Sequence, residues 1–224
     1  MTRGIHDFDR AVRERRSVRG FLPKAVPDDV LQEVFGLAQY APSNCNVQPW
    51  RVYVASGQRC ASLREALVAA VRNGEPPHTE HPIDEFFDGY RRKQIDCAVE
   101  LYGKMGVARD DVVGRFNASL RNFEFFDAPH VAYVCMSKRF GIGVALDVGM
   151  YVQTLMLAMW SRGIGSCAQA SLRSYPHMVA QHLDIPADEQ ILCGLSFGYE
   201  DEQVSANATR QPRDAFDANV FHKR

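Results

Sequence analysis

Four arginines lie within seven positions of the stretch RERRSVRGF: Arg13, Arg15, Arg16 and Arg19. Like charges at this spacing repel one another unless an anion lies among them. A guanidinium presents a planar fork of N–H donors that matches phosphate oxygens, and Ser17 adds a hydroxyl inside the cluster. The stretch therefore predicts a site for one small phosphate. The alternative is an exposed helix end whose arginines pair with nearby carboxylates, which would contribute little stability.

The charge balance of the whole chain limits which phosphate-bearing partner this cluster can serve. The 224 residues include 26 Lys and Arg against 27 Asp and Glu, so the formal net charge is -1. A protein that binds nucleic acid needs basic residues along an extended surface, usually with interleaved aromatic residues. Basic residues elsewhere in this sequence stand among acidic ones, so we predict no nucleic-acid partner.

The sequence predicts a cytoplasmic protein without a membrane partner. Its first ten residues, MTRGIHDFDR, contain no apolar signal core. The most apolar stretch, 144–160, contains Asp147, Gln153 and Thr154, and we expect it to be too short and too polar to cross a bilayer. Six scattered cysteines form no CxxC pair, which is typical of free thiols in a reducing compartment.

Neither a metal site nor a protein nucleophile is predicted. His78 and His81 are three residues apart, but they lie in the Pro-rich stretch NGEPPHTEHP, where helical spacing has no meaning. No cysteines have the spacing of zinc ligands. The chain contains no GxSxG sequence, and no cysteine has a recognisable base beside it, so hydrolase chemistry has no support.

Hydrophobic periodicity predicts one domain, residues 1–224, built from helices and a few strands. The predicted helices span 8–16, 27–41, 62–71, 83–105, 110–122 and 144–160. The predicted strands span 50–55, 128–136 and 190–199. Because these elements follow no repeated βαβ order, the fold class is α+β. Residues 205–224 are polar with isolated apolar residues and are expected to form an extended C-terminal arm.

Two glycine- or turn-rich stretches separate these elements. GIGSCA fits a loose dinucleotide fingerprint, but a long predicted helix precedes it where that fingerprint needs a strand. We therefore interpret Gly163 as the glycine that ends the helix.

APSNCNVQPW joins a helix to a strand with short polar side chains that can both donate and accept hydrogen bonds. On the residues alone, these side chains either bind a ligand or satisfy the loop's own backbone.

Four motifs in one order connect these observations. They are RRSVR, then APSNCNVQPW, then RGIGSCAQASLRS, and a terminal segment that contains Arg213. In this order they resemble the nitroreductase superfamily of FMN-dependent flavoproteins, and the resemblance covers nearly the whole chain. It implies a mixed central β-sheet flanked by helices and an intertwined homodimer with two FMN sites at the interface. The anion at the arginine cluster would then be the FMN phosphate.

The resemblance also implies a role for each matching position around the phosphate. Arg15 is expected at the phosphate and ribityl end of FMN, with Arg16 and Ser17 on adjoining oxygens. Arg213 would close the phosphate site, and Arg210 is a weaker candidate for the same role.

At the flavin ring, Arg19 is expected near the pyrimidine edge, where a cation stabilises negative charge. The other subunit would supply contacts from its polar loop: Pro42, Ser43, Asn44 and Asn46. The stretch after Gly163 would line the flavin edge with four residues: Ala168, Gln169, Ala170 and Ser171. A backbone N–H there, from Ala170, would point at flavin N5.

The implied activity is that of an FMN-dependent NAD(P)H oxidoreductase that reduces nitroaromatic or related electron acceptors by a ping-pong mechanism. The flavin carries this chemistry, so no catalytic side chain is predicted. The motifs leave open a quinone, flavin or enone reductase, a reductive dehalogenase, or a non-catalytic FMN-binding protein. The natural acceptor and the choice between NADH and NADPH also stay open.

The segment 73–126 is longer than in the shortest members of the superfamily, and it is expected to vary between subgroups. At its end are three phenylalanines that either pack in the core or wall the substrate pocket: Phe123, Phe125 and Phe126. Cys45 and Cys167 fall inside the flavin-site motifs. We expect both to pack passively, because hydride transfer needs no thiolate.

Overall fold

A computed structural model describes residues 8–80, 82 and 85–223 of the chain. Its helices are α1 (Phe8–Glu14), α2 (Asp28–Ala38), α3 (Gly57–Arg72), α4 (Asp88–Lys104), α5 (Val112–Leu120), α6 (Ile142–Trp160), α7 (Pro176–Leu183) and α8 (Phe216–Asn219). Its strands are β1 (Arg51–Ser56), β2 (His130–Ser137), β3 (Gly165–Gln169) and β4 (Glu189–Gly198). The predicted α+β class is confirmed.

The four strands form one sheet in the order β1-β2-β4-β3, and every neighbouring pair is antiparallel. A parallel bridge between Ser17 and Ser166 continues the sheet beyond β3. The segment that carries the arginine cluster therefore lies along the edge strand. The four strands of the central sheet are all antiparallel, so in the described part of the chain the parallel pairing of the implied mixed sheet is confined to this isolated bridge.

Strand β2 is buried on both faces, and its alternate side chains belong to two different cores. Val131, Tyr133 and Cys135 point toward α3 and α7, while Ala132 and Val134 point toward α2 and α6. Burial on both faces explains why β2 is an almost continuous apolar run rather than an alternating pattern. The sheet therefore forms the middle layer of the fold.

Helix α6 is two residues longer than predicted, and the expectation that it is too short and too polar to cross a membrane was wrong. Its most apolar window has a mean hydropathy of 1.6, so its length and composition suffice for a span. A core helix of a globular protein passes the same test. Here Tyr151 and Leu155 are buried among residues of α2 and the sheet, and the buried Asp147 accepts a hydrogen bond from the Asn44 N–H. We therefore interpret α6 as a helix that packs one face on the core, since 33% of its most apolar window is buried within this chain.

Some boundaries differ from the prediction, and each difference has a local cause. Helix α3 begins at Gly57, immediately after β1, because Gly57 takes a positive φ of 54° that permits an abrupt turn. Pro27 precedes α2 instead of being its first residue. Helix α4 begins at Asp88, and positions 83 and 84 of the predicted helix lie outside the described residues. Helix α7 was not predicted, although Pro176 at its first position is a recognised start signal.

Two predicted chain features have clear counterparts in the structure. Gly163 has a φ of 70°, and its N–H donates to the carbonyl of Trp160 at the end of α6, which confirms its role as the terminating glycine. Residues 205–223 are mostly irregular, with a 3-10 turn at Ser205–Ala208 and the short helix α8. The first part of this segment contacts the arginine cluster of the same chain.

Candidate functional site

A cavity of about 740 Å³ lies between the segment that follows α1 and the C-terminal segment. It brings together six residues that the sequence predicted to bind FMN: Arg15, Arg16, Ser17, Arg19, Arg210 and Arg213. Its other lining residues include Arg13 and Thr209. Residues from both ends of the chain therefore meet around one strongly cationic space.

Strand β3 positions the first wall of this cavity. The N–H of Val18 donates to the carbonyl of Ser166 at 3.0 Å, beside the bridge from Ser17. A Cβ on Gly165 would lie 2.8 Å from the Val18 side chain, so only glycine lets the arginine segment lie this close to β3. Gly165, the second glycine of GIGSCA, thus permits close backbone packing rather than dinucleotide binding.

Arg15 is the guanidinium that most clearly lacks an internal partner. Its Nε is buried with no hydrogen-bond partner in the described part of the chain. Burial lowers the pKa of Arg15, and the nearby positive charge of Arg213 lowers it further. A buried donor and two repelling cations are unfavourable in a protein alone, because each needs a compensating partner. An anion between Arg15 and Arg213 would satisfy both.

Beneath the arginines lies the buried thiol of Cys167. Burial raises its pKa, and this outweighs the opposing effects of Arg19, the Ser17 hydrogen bond and Arg15. The thiol is therefore protonated at neutral pH. Because reactive cysteines need a lowered pKa, this geometry agrees with passive packing of Cys167.

The remaining arginines of the cavity differ in how they are held. Arg16 forms an ion pair with both carboxylate oxygens of Glu200, at 2.5 and 2.6 Å. Arg210 donates to the carbonyls of Asn207 and Thr209, and Arg213 donates to backbone carbonyls only. Arg16 is therefore neutralised within the protein, whereas Arg210 and Arg213 keep their positive charge available.

The end of β3 presents backbone rather than long side chains. Ala168 and Ala170 are exposed, Ser171 is half-buried, and the Ala170 N–H donates to no other described residue. The Gln169 side chain, in contrast, points inward and is buried. Its Oε1 accepts from Ser196, and its Nε2 donates to the Asn122 carbonyl at 3.0 Å. Any contact between Gln169 and a ligand at this edge is therefore through the backbone.

The polar loop after α2 does not line the arginine cavity of its own chain. Pro42, Asn44 and Asn46 are exposed, and Ser43 is half-buried with its Oγ accepting the Gln48 N–H at 3.0 Å. Part of the loop thus satisfies its own backbone, as one of the two sequence interpretations proposed. Positive φ values of 49°, 55° and 46° occur at three non-glycine residues: Cys45, Asn46 and Gln48. Such backbone strain is commonly found at ligand contacts.

The structure places the three phenylalanines of the 73–126 segment in the core. Phe125 is completely buried, and Phe123 and Phe126 are nearly so. Phe123 packs edge-on against Tyr175, and the guanidinium of Arg64 lies over the Phe125 ring. Assigning all three to a substrate pocket is therefore corrected for Phe123 and Phe125, because buried rings cannot face an open pocket. Phe126 alone also borders a second cavity of about 330 Å³ beside Arg19.

Residues 8–80, 82 and 85–223 contain no group of three or more His, Cys, Asp or Glu side chains that could hold a metal ion. His78 lies in an irregular segment, where its N–H donates to the Ser174 carbonyl at 2.8 Å. His81 lies outside the described residues.

Sequence and structure comparisons identify the family of the chain. The profile described as "Nitroreductase family" matches residues 12–199. This chain belongs to the nitroreductase family.

The family relatives resemble the chain over nearly its whole length. Nitroreductase NfnB of Mycolicibacterium smegmatis is 40% identical over 209 residues, which cover 92% of this chain and 88% of that protein. A 4-nitrobenzoate reductase of Pseudomonas putida is 34% identical over 208 residues, or 93% of this chain and 92% of the relative. The crystal structure of FMN-dependent NfnB from Mycobacterium smegmatis in complex with NADPH has a TM-score of 0.93 at 37% identity, covering 96% of this chain and 97% of that chain.

Within this nitroreductase-family chain, sequence reasoning missed three polar residues that support the predicted site. Glu200 neutralises Arg16, Asn207 binds the arginine segment, and Asp147 accepts the Asn44 N–H. Glu200 and Asn207 lie more than 180 positions from their partners, so no local pattern indicates them. Asp147 gave one signal, since it is a lone carboxylate in the apolar stretch 144–160.

Proposed function

We propose that this chain is a homodimeric FMN-dependent oxidoreductase that uses NAD(P)H to reduce nitroaromatic compounds. The observation that carries the proposal is the cavity that Arg15 and Arg213 both line, near enough for the positive charge of Arg213 to lower the pKa of Arg15. A phosphate monoester carries about −1.5 to −2 charges at pH 7, and its oxygens match guanidinium forks. The activities named for the relatives, nitroreductase and 4-nitrobenzoate reductase, agree with this reading.

The residues present fit FMN at both of its ends. Arg15, Ser17 and Arg213 would hold the phosphate, and Arg210 would add a fourth donor from the C-terminal segment. Arg19 would lie at the pyrimidine edge, and the exposed Ala170 N–H would donate to the ring at N5. When bound, the flavin supplies hydride transfer at this position, and the side chains of the protein bind and orient it.

The homodimer explains an apolar stripe that α6 leaves on the surface. Ile142, Leu146 and Met150 recur every four residues and are 85%, 67% and 40% exposed. The chain exposes 13800 Å², whereas a compact monomer of 25.2 kDa should expose only about 10,300 Å². Two such chains would carry roughly 7,000 Å² of excess surface, enough for the total of about 2,000–5,000 Å² or more that obligate dimers bury. A second copy of this chain is the occupant we propose for the stripe.

In that dimer, the polar loop after α2 would complete the flavin site of the partner subunit. Its side chains Asn44 and Asn46 are exposed and its backbone is strained, yet neither residue borders the cavity of its own chain. Asp147 fixes the loop to α6, the same helix that carries the stripe. Dimer formation and completion of the site would thus depend on one helix.

We further propose that NAD(P)H and the acceptor use one place above the flavin in turn. Two substrates that share a place cannot be bound together, so double-reciprocal plots should be parallel. Nitroaromatic compounds suit this place because a flat ring can stack on the flavin and bring its nitro group near N5. Six free cysteines agree with a cytoplasmic location.

Purified protein tests the proposal directly. It should be yellow, release FMN rather than FAD, and oxidise NADPH or NADH when a nitroaromatic acceptor is added. Intersecting lines in double-reciprocal plots would refute the proposal that NAD(P)H and the acceptor bind in turn at one place. Bound FMN that NAD(P)H does not reduce would indicate a flavin-binding protein, and transfer to quinones but to no nitro compound would indicate a quinone reductase.

Sedimentation tests the dimer. At micromolar concentration the wild-type protein should be dimeric, and Leu146→Glu should dissociate it and release flavin. The matched control is Val113→Glu, an exposed apolar position of α5 outside the stripe. A flavin-loaded wild-type monomer would contradict both the dimer and the site shared between subunits.

A further inference from the structure

Asn207 joins three separate segments of the chain beside the arginine cavity. Its buried side chain accepts the Arg19 N–H at 2.6 Å and donates to the carbonyls of Gly20 and Asp201, both at 2.9 Å. Both amide protons and the amide oxygen are therefore used. A side chain that is buried and fully satisfied holds the segments around it in one arrangement.

The backbone carbonyl of Asn207 extends this connection to two arginines. It accepts from Arg16 Nε at 3.3 Å and from Arg210 at 2.8 Å. Arg16 in turn holds both oxygens of Glu200, and the two side chains are only 27% and 20% exposed. The cavity wall is thus linked from Arg16 through the Asn207 carbonyl to Arg210, and Glu200 holds the guanidinium of Arg16 in place.

Arg16 differs from Arg15 in what it offers to a ligand. Its charge is balanced by Glu200, and two of its nitrogens already donate to protein acceptors. Arg15 has a buried nitrogen that finds no partner among the described residues, and it repels Arg213. A residue that binds an anion should have an unsatisfied charge, as Arg15 has. A residue that supports the site should have its charge and donors satisfied by the protein, as Arg16 has.

We propose that Arg16, Glu200 and Asn207 form a clasp of positioning residues and that Arg16 is not itself a ligand of the cofactor phosphate. This inference rests on the proposed FMN site. Without the clasp, repulsion between Arg15 and Arg213 would push the two cavity walls apart. With it, the walls are held ready for the phosphate, so that binding needs little reorganisation.

Glu200→Gln gives opposite results for the clasp and for simple electrostatics. Removing a negative charge near a phosphate site should strengthen phosphate binding if charge alone decides the affinity. Breaking the clasp should weaken it. We expect the FMN dissociation constant of the apoprotein, measured by quenching of FMN fluorescence, to rise about tenfold, as for loss of one charge-assisted hydrogen bond. Glu202→Gln removes an exposed carboxylate two residues away and should leave the constant unchanged.

Riboflavin, which lacks the phosphate, separates positioning from direct contact. Arg15→Gln should weaken FMN but not riboflavin. Arg16→Gln and Glu200→Gln should weaken both ligands, because the clasp holds the phosphate walls and also fixes the Arg19 backbone. The double variant should be no weaker than either single variant, since the two residues act as a unit. Arg16→Lys should not restore binding, because an ammonium cannot replace the fork.

Thermal unfolding of each apoprotein identifies variants that fail to fold, and Glu200→Gln, which keeps the side-chain shape, is the decisive variant. If Glu200→Gln folds and binds FMN as tightly as the wild-type protein, or more tightly, the clasp is overturned while the proposed function stands. Weaker FMN binding with unchanged riboflavin binding in Arg16→Gln also overturns it, because Arg16 would then act only as a phosphate ligand. A wild-type apoprotein that binds no FMN rejects the proposed function together with the clasp.

Discussion

Arg15 and Arg121 are partly buried arginines whose surroundings are opposite. Arg15 borders the cavity with an unpaired buried Nε, and burial followed by the charge of Arg213 lowers its pKa. Arg121 donates to the carboxylates of Glu124 and Asp127, and the hydrogen bond to Asp127 is the main reason that its pKa is raised. Among the described residues, Arg15 has no carboxylate partner, whereas Arg121 has two.

The difference between these arginines separates a binding site from a scaffold. Arg121 closes the turn that buries Phe125, where φ values of 56°, 53° and 67° occur at consecutive residues: Phe125, Phe126 and Asp127. Such strained backbone persists only where its surroundings hold it. Arg121 thus stabilises a strained local backbone. Arg15, in contrast, destabilises the folded chain through its buried charge until an anion binds to it.

The largest expected effect is on ligand binding at Arg15. Arg15→Met should raise the FMN dissociation constant about 10- to 150-fold, because a hydrogen bond to a charged group contributes roughly 1.5–3 kcal/mol. The unfolding temperature of the apoprotein should stay the same or rise, since a desolvated charge is removed. Fluorescence titration and calorimetry measure the two quantities. Unchanged FMN affinity would remove Arg15 from the site.

Arg121→Met should show the reverse pattern. We expect the apoprotein to lose about 1 kcal/mol of unfolding free energy, the upper range for partly exposed ion pairs, and FMN affinity to stay within about twofold. Denaturant unfolding of the apoprotein and the same fluorescence titration would be compared. If Arg121→Met weakened FMN as strongly as Arg15→Met, the contrast between site and scaffold would fail.

His130 shows that a lowered pKa alone does not mark a binding site. Burial lowers its pKa, as it does for Arg15, with a smaller opposing effect of Asp28. Both ring nitrogens are used, however, since Nε2 accepts the Val26 N–H at 2.9 Å and Nδ1 lies 2.6 Å from Ser56 Oγ. The ring also stacks on Phe197. His130, the first residue of β2, is therefore a structural polar residue.

The pH dependence of stability tests this role of His130. The unfolded chain takes up a proton near pH 6.5, whereas the folded chain does so only at lower pH. The stability that His130 contributes is therefore complete above about pH 6.5 and is lost as the pH falls toward the folded-state pKa. His130→Gln, which keeps an acceptor but cannot be protonated, should flatten the fall in unfolding temperature between about pH 7 and 5. Identical slopes for the two proteins would contradict this.

The smallest effect is expected from the cysteines. Burial raises the pKa of Cys167 and raises that of Cys193 to about 11, and Cys45 is an exposed free thiol in the polar loop. The triple variant with alanine at these positions should retain most of its turnover with NAD(P)H and a nitroaromatic acceptor. Loss of turnover with flavin still bound would show that a thiol near Arg15 takes part in the reaction.

Local patterns predicted the fold class and the terminating Gly163, because each depends on residue types. The resemblance to the nitroreductase superfamily implied that the six cavity residues meet, because it depends on motif order. The motifs did not separate Arg15 from Arg16, which are neighbours of the same type. Their surroundings distinguish them: Arg16 pairs with Glu200, which follows β4, and donates to the Asn207 carbonyl, whereas Arg15 lies near Arg213. The inward turn of Gln169 likewise depends on Ser196 of the neighbouring strand. Contacts with residues distant in sequence therefore determine how Arg16 and Gln169 are oriented, which the motifs did not predict.

The clasp has a consequence for how the protein is made. Arg16 and Asn207 are 191 positions apart, so a ribosome that adds about 5–20 residues per second needs roughly 10–40 s between them. During that interval the nascent chain exposes its arginine cluster without the opposite wall. Cofactor loading is therefore a late event in biogenesis, and the unfinished chain offers a cationic segment to any polyanion in its surroundings.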